Sequence, residues 1–147
     1  MRACYRLADD AVARGDHPFG ALLALDGRIV GTALNAVETA DDPTRHAETE
    51  LLSVVLPTLA RDERSRVVLY TSSEPCVMCA GAIYWAGIST LVFGCGAAAL
   101  AEEAGADFLV PCREVLARGA RAVTVIGPVL EAEGRAQHQA YWPARRL

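Results

Sequence analysis

The sequence predicts an α/β fold in three layers, α/β/α, with a five-stranded mixed sheet and helices on both faces. Three observations carry that expectation. Two apolar runs, 19–25 and 28–37, are joined by Asp26-Gly27, a pair suited to the positive φ angles of a tight hairpin turn. Val67-Val68-Leu69-Tyr70, a helix-forming stretch from Cys76 to Ala86, and Leu91-Val92-Phe93 then follow one another. Strand, helix, strand in that succession implies a right-handed parallel crossover. Helical patterns fill much of the remaining chain, enough to cover a sheet on two sides.

With 147 residues, 52% of them apolar, the chain fits one domain over 1–147 that buries a substantial core, which excludes a disordered chain. It has no run of about eighteen apolar residues, and Met1-Arg2-Ala3-Cys4-Tyr5 begins no signal-like apolar segment, so we expect a cytoplasmic protein with no membrane partner. The net charge of −4 lacks the electrostatic footprint of a nucleic-acid binder. All fourteen basic residues are Arg, which reads as coding bias and says little about function.

In chain order, residues 2–14 place Leu7, Ala8, Ala11 and Val12 at helical spacing, and Gly15 ends the run. The two hairpin strands follow. Asp41-Asp42-Pro43-Thr44 is a turn and helix-entry signal, after which His46–Leu56 reads as a buried helix ended or kinked by Pro57. Arg61-Asp62-Glu63-Arg64 reads as a solvated connection. Pro75 suits the first turn of the helix that runs to Gly87. Residues 97–104 and 108–118 supply further helices, 122–126 the fifth strand and 131–141 the last helix. No repeat or linker interrupts them.

Five cysteines is an odd number, and two form a C-x-x-C pair, which favours metal or redox use in a reducing compartment over a disulfide framework. Cys4, Cys95 and Cys112 read as small buried hydrophobes. Cys76 and Cys79 share a helix face and can grip one ion. At a helix start, the unpaired N–H groups and the dipole favour the thiolates that bind metal. His46, near the start of its own helix, completes a His-Cys-Cys set. Three ligands leave a tetrahedral position of zinc open, and Glu48, two residues from His46, is the carboxylate placed to move protons there. The competing readings are a thioredoxin-like redox pair and a closed structural zinc with a fourth ligand among Cys95, Cys112, His17 and His138. His138 itself reads as a surface residue on the polar side of the last helix.

Pro18-Phe19-Gly20-Ala21, Asn35, His46-Ala47-Glu48 and the run from Ser73-Glu74-Pro75-Cys76 through Val77-Met78-Cys79 to Ile83 resemble the cytidine and deoxycytidylate deaminase superfamily. The chain is similar to the branch that holds guanine deaminases, cytosine deaminases and tRNA adenosine deaminases. The resemblance spans nearly the whole chain, specific at the zinc motifs and loose after about Gly96.

That resemblance implies a cytidine deaminase-like fold and hydrolytic removal of an amino group from a nucleobase or nucleoside. Zn2+ is held by His46, Cys76 and Cys79, and Glu48 shuttles protons. It also implies an Asn35 side chain bonded to the base, Phe19 as a pocket wall, base contacts from backbone near Ala47 and Ser73, and a homodimer. Phe19 as strand core and Asn35 as a strand-end cap are the alternatives. Asp107, in a segment loosely like that of guanine deaminases, would accept from the guanine edge or cap a helix. Trp142 or Tyr141 would stack on the base or pack the last helix. Thr49 and the tail from Tyr141 to Arg146 depart from the pattern. Guanine or a related amino-purine is the expected substrate, then cytosine or a triazine, and last a tRNA adenosine. A zinc-stabilised binding domain is the non-enzymatic alternative.

Overall fold

The computed structural model describes residues 1–105 and 110–144. Helix α1 (Arg2–Arg14) buries Cys4, Tyr5, Ala8 and Ala11 along one stripe. Gly15, at φ 103°, ends it by returning its N–H to the last turn, a conformation that glycine adopts without strain. Strands β1 (Gly20–Leu25) and β2 (Arg28–Leu34) form the expected hairpin, turned at Asp26 and Gly27 with φ of 49° and 78°.

The second strand stops three residues before the expected Val37. The chain makes a one-turn helix, α2 (Val37–Ala40), because side chains take its first N–H groups. Asn35 Oδ1 accepts from Val37 N–H at 3.1 Å, and Asp16 Oδ1 accepts from Glu38 and Thr39 N–H at 3.0 and 2.9 Å.

Helix α3 (Ala47–Val55) runs into a 3-10 turn at Leu56–Thr58, where Pro57 cannot continue an α-helix. Strand β3 (Val68–Ser73) extends three residues past the expected apolar run. Thr71, Ser72 and Ser73 look like turn residues by composition, yet each is buried and bonded, to Glu48, the Gly20 N–H and His138. Helix α4 (Val77–Trp85) leads to β4 (Thr90–Cys95), α5 (Ala97–Ala104), α6 (Cys112–Ala117), β5 (Thr124–Ile126) and α7 (Glu131–Tyr141), with a final 3-10 turn at Trp142–Ala144. Pro75 lies one residue before the α4 N-cap and not in its first turn, and Pro111 is the N-cap of α6.

The sheet order is β2-β1-β3-β4-β5, antiparallel about β1 and parallel from β3 to β5. On one face Ala21, Leu23, Leu69 and Leu91 meet Leu51, Ile83 and Leu116 from α3, α4 and α6. Each such buried Leu or Ile side chain contributes about 1.5–3 kcal/mol. Helices α1, α5 and α7 cover the other face. There Gly94 lets α1 approach: a Cβ would fall 2.4 Å from the Tyr5 hydroxyl and the Ser72 carbonyl oxygen. Among the described residues no helix is long and apolar enough to cross a membrane.

Candidate metal centre

Two nine-residue helices begin at one place. His46 is the N-cap of α3 and Cys76 the N-cap of α4, both in extended backbone, so each side chain stands beside the free N–H groups of a helix start. Cys79 follows in the first turn of α4. The His46 Nδ1 lies 3.6 Å from each of the Cys76 and Cys79 sulfurs, and the three ligand atoms are within 4.8 Å of one another. Tetrahedral zinc with bonds of about 2.0–2.1 Å to nitrogen and about 2.3 Å to sulfur puts such a pair about 3.5 Å apart, so the donor set fits this ion.

Among the described residues no fourth His, Cys, Asp or Glu joins the cluster. The other considered ligands are engaged elsewhere. His17 Nε2 is 3.2 Å from Glu38, the Cys95 thiol donates to the Gly96 carbonyl at 3.7 Å, the Cys112 thiol is paired with Glu74, and His138 bonds Ser73. His46 and Cys76 are half-buried and Cys79 is buried, which leaves one side of the cluster open.

The protein groups alone already favour thiolate at Cys76. The Cys79 thiol donates to Cys76 and the His46 ring adds to this, holding Cys76 down to about 4. Its pairing with that sulfur, together with burial, pushes Cys79 up. The bond to Cys76 raises His46. Glu48, 6% exposed in the first turn of α3, is raised by burial, and its carboxylate accepts from the Thr71 hydroxyl at 2.9 Å.

The other described residues singled out in the sequence gather at the same end of the sheet. Asn35 is 1% exposed; its N–H donates to the Phe19 carbonyl at 3.0 Å and its Oδ1 takes the Val37 N–H, while its amide nitrogen has no bonded partner among the described residues. Phe19 is half-buried, packs on the core, and lies 5.5 Å from the His138 ring and 6.3 Å from the Trp142 ring. Ala47 is fully buried at the first position of α3. Ser73 is 3% exposed. Trp142, 1% exposed, is packed among His17, Phe19 and Tyr141. Asp107 lies outside the described residues.

His138 is not a surface residue. At 2% exposure it sits between Ser73 Oγ, 2.8 Å from Nε2, and the indole nitrogen of Trp142, one helical turn further on and 3.1 Å from Nδ1. Sequence reasoning also missed Thr71, Asp16 and Glu74. Asp16 is fully buried; burial opposes its charge, but bonds from the Thr39 N–H, Arg14 and the Thr39 hydroxyl hold its carboxyl below the usual range. Arg14 bonds the Asn35 carbonyl as well, so Asp16 and Arg14 together fix the Asn35 loop. Glu74 accepts from the Ala97 and Cys112 N–H groups at 2.9 Å each, tying the metal loop to the starts of α5 and α6. No short-range pattern marks these residues, since apart from the Arg14–Asp16 pair their partners lie 22 to 38 positions away.

Fold and site define a zinc-dependent hydrolytic enzyme of α/β/α architecture. The chain belongs to the cytidine and deoxycytidylate deaminase family, whose zinc-binding region matches residues 1–95. Zinc is its cofactor, and His46, Cys76 and Cys79 are positioned to hold it. A probable cytosine deaminase of Schizosaccharomyces pombe is 31% identical over 99% of this chain and 92% of its own length. The guanine deaminase of Bacillus subtilis is 43% identical over 73% of this chain and 69% of its own. Guanine deaminase from Nitrosomonas europaea superposes with a TM-score of 0.81 at 26% identity, covering 96% of this chain and 81% of that one. Related solved structures hold 8-azaguanine or 2,6-diaminopurine. Other relatives are tRNA-specific adenosine deaminases, such as that of Xenopus tropicalis, of which the chain spans 59%.

Proposed function

We propose that residues 1–147 form one deaminase domain that hydrolyses the amino group of a free nucleobase, guanine or a related amino-purine, to give the oxo base and ammonia. Glu48 carries this reading: a buried carboxylate two residues from His46, held by Thr71, beside the metal cluster but not part of it. A structural zinc site needs no such group.

When bound, zinc supplies the Lewis acidity that makes water acidic near neutral pH. His46, Cys76 and Cys79 hold the ion. Glu48 would accept one proton of the attacking water and pass it to a ring nitrogen, then take the second proton from the new hydroxyl group on the ring carbon and deliver it to the leaving amine; its raised pKa suits a group that both takes and gives. The balance is base-amine plus water to oxo base plus ammonia. The Asn35 amide nitrogen donates to the base, Phe19 and Trp142 wall the pocket, and backbone groups at Ala47 and Ser73 line it.

The relatives support guanine through the Bacillus and Nitrosomonas enzymes. Cytosine is the second reading, favoured by a relative that aligns over 99% of the chain. A net charge of −4 argues against a tRNA substrate. The working form is a cytoplasmic homodimer, in keeping with five unpaired cysteines and with Trp85, which is 85% exposed on α4. Ammonia release from guanine, cytosine, adenine and their nucleosides tests the reading. Turnover of cytosine without guanine replaces the first base with the second, and salt-sensitive tRNA binding with inosine formation overturns both.

A further inference from the structure

Cys76 reaches its place through a link of two residues. Strand β3 ends at Ser73 and Cys76 is already the N-cap of α4, so Glu74 and Pro75 alone connect this ligand to the sheet. Pro75 is buried and its ring fixes φ, which leaves Glu74 as the adjustable point. Glu74 is held three times. Its N–H donates to the Cys95 carbonyl at 2.7 Å, carrying the pairing of β3 with β4 one residue past Ser73. Its Oε2 accepts from the Ala97 N–H and its Oε1 from the Cys112 N–H, each at 2.9 Å.

Ala97 and Cys112 are the first residues of α5 and α6, so one carboxylate joins two helix starts to the metal loop. Each oxygen takes a backbone N–H in a charge-assisted bond. A glutamine could not repeat both, because its NH2 group would face one of the two donors. The start of α5 has a second acceptor: Glu131 Oε1, from the first residue of α7 and outside the metal loop, takes the Gly96 N–H at 3.1 Å. The two carboxylates serve α5 alike and differ in their connection to Cys76.

We propose that Glu74 is a positioning residue of the metal centre: by fixing the link before Cys76 it preorganises this ligand for zinc, and it couples zinc binding to the docking of the α5 and α6 starts. Glu48 moves protons in the reading above; Glu74 holds the ligand. The inference rests on the zinc site and holds whichever base is turned over. Coupling is reciprocal, so zinc holds the two helix starts by the same factor with which their docking holds zinc.

The test uses the zinc-loaded protein as wild type, Glu74→Gln and Glu131→Gln. Zinc affinity is read by competition with a chelator of known strength, stability by a melting curve, and the two bonds by amide exchange at Ala97 and Cys112. Glu74→Gln should bind zinc about tenfold more weakly, the scale typical of groups that hold metal ligands in place, with faster exchange at one or both amides. Glu131→Gln should lose stability and keep its zinc affinity, because it loosens α5 without touching the link to Cys76. The proposal is overturned by a Glu74→Gln protein that binds zinc as wild type does or leaves both amides unchanged. It is equally overturned if Glu131→Gln weakens zinc as much, since the loss would then follow from stability alone. Wild type by itself gives a reading that stands even if Glu74→Gln does not fold. As the chelator lowers free zinc, exchange at Ala97 and Cys112 should quicken more than at Arg66, whose N–H bonds the Glu63 carbonyl at 2.9 Å beyond the opposite end of β3. An equal response removes the coupling. Wild type that holds no zinc overturns the metal centre and this inference together, an outcome distinct from variants that bind alike.

Discussion

The Thr71 hydroxyl donates to Glu48 Oε1 at 2.9 Å, joining the polar end of β3 to the first turn of α3. The bond sets the carboxylate without neutralising it. Glu48→Gln and Glu48→Ala are expected to keep zinc and lose activity by about two to four orders of magnitude, the usual worth of a positioned acid-base group. Thr71→Val should cost about tenfold in kcat, as one hydrogen bond to a charged group would. Ammonia release and metal analysis on the same samples separate the two effects, and full activity in Glu48→Ala removes that residue from the mechanism.

Cys79→Ala takes away one of three ligands from a site built by two helix starts. Zinc content should fall from about one ion per chain to nearly none, and thermal stability should fall with it, because binding free energy at such a site is also folding free energy. Elemental analysis and a melting curve check both. Retained zinc would place the metal elsewhere.

Stability should depend on pH through His138. Its ordinary pKa is 6.5, and burial lowers it to about 4 in the folded protein. Between these values the unfolded chain binds the proton and the folded chain does not. The contribution is therefore complete above 6.5 and lost as pH falls toward 4, up to about 3 kcal/mol. Protonation also removes the lone pair that accepts from Trp142. Urea unfolding at about pH 5 and about pH 7 should show a larger difference for wild type than for His138→Gln. Equal differences would mean that another group carries the dependence.

Asp16 holds the Asn35 loop through the N–H groups of α2 and through Arg14. Asp16→Ala leaves those groups without their acceptor and should destabilise the fold by about 2–4 kcal/mol. If Asn35 donates to the base, KM rises more than kcat falls. Denaturation and steady-state kinetics read the two parts, and a stability loss with unchanged KM would separate Asp16 from binding.

Trp85 exposes 85% of its surface on α4, next to Tyr84. If the protein works as a homodimer through this face, Trp85→Glu buries a charge at the contact and the apparent mass in sedimentation should halve, with zinc retained. An unchanged sedimentation coefficient moves the interface elsewhere.

By itself the sequence determined what near neighbours decide. His46 with Glu48, and Cys76 with Cys79, are close enough for helix geometry to fix their relation, and Asp26-Gly27 fixes the hairpin in the same way. The ends of β2 and β3 were not legible: the apolar run continues past Asn35 to Val37, where Asn35 and Asp16 start α2 instead, and local polarity at Thr71-Ser72-Ser73 reads as turn until its partners are known. Those partners are supplied by the tertiary structure. Thr71 meets Glu48 across 23 positions, His46 meets Cys76 across 30, and Ser73 meets His138 across 65. His138 shows the difference most clearly. Its neighbours on α7, Arg135, Gln137 and Gln139, are polar, so composition places it at the surface. The fold places it inside, because α7 crosses the end of β3 and Trp142 closes over the ring, and a buried imidazole with a donor on one side and an acceptor on the other is stable only as the neutral tautomer.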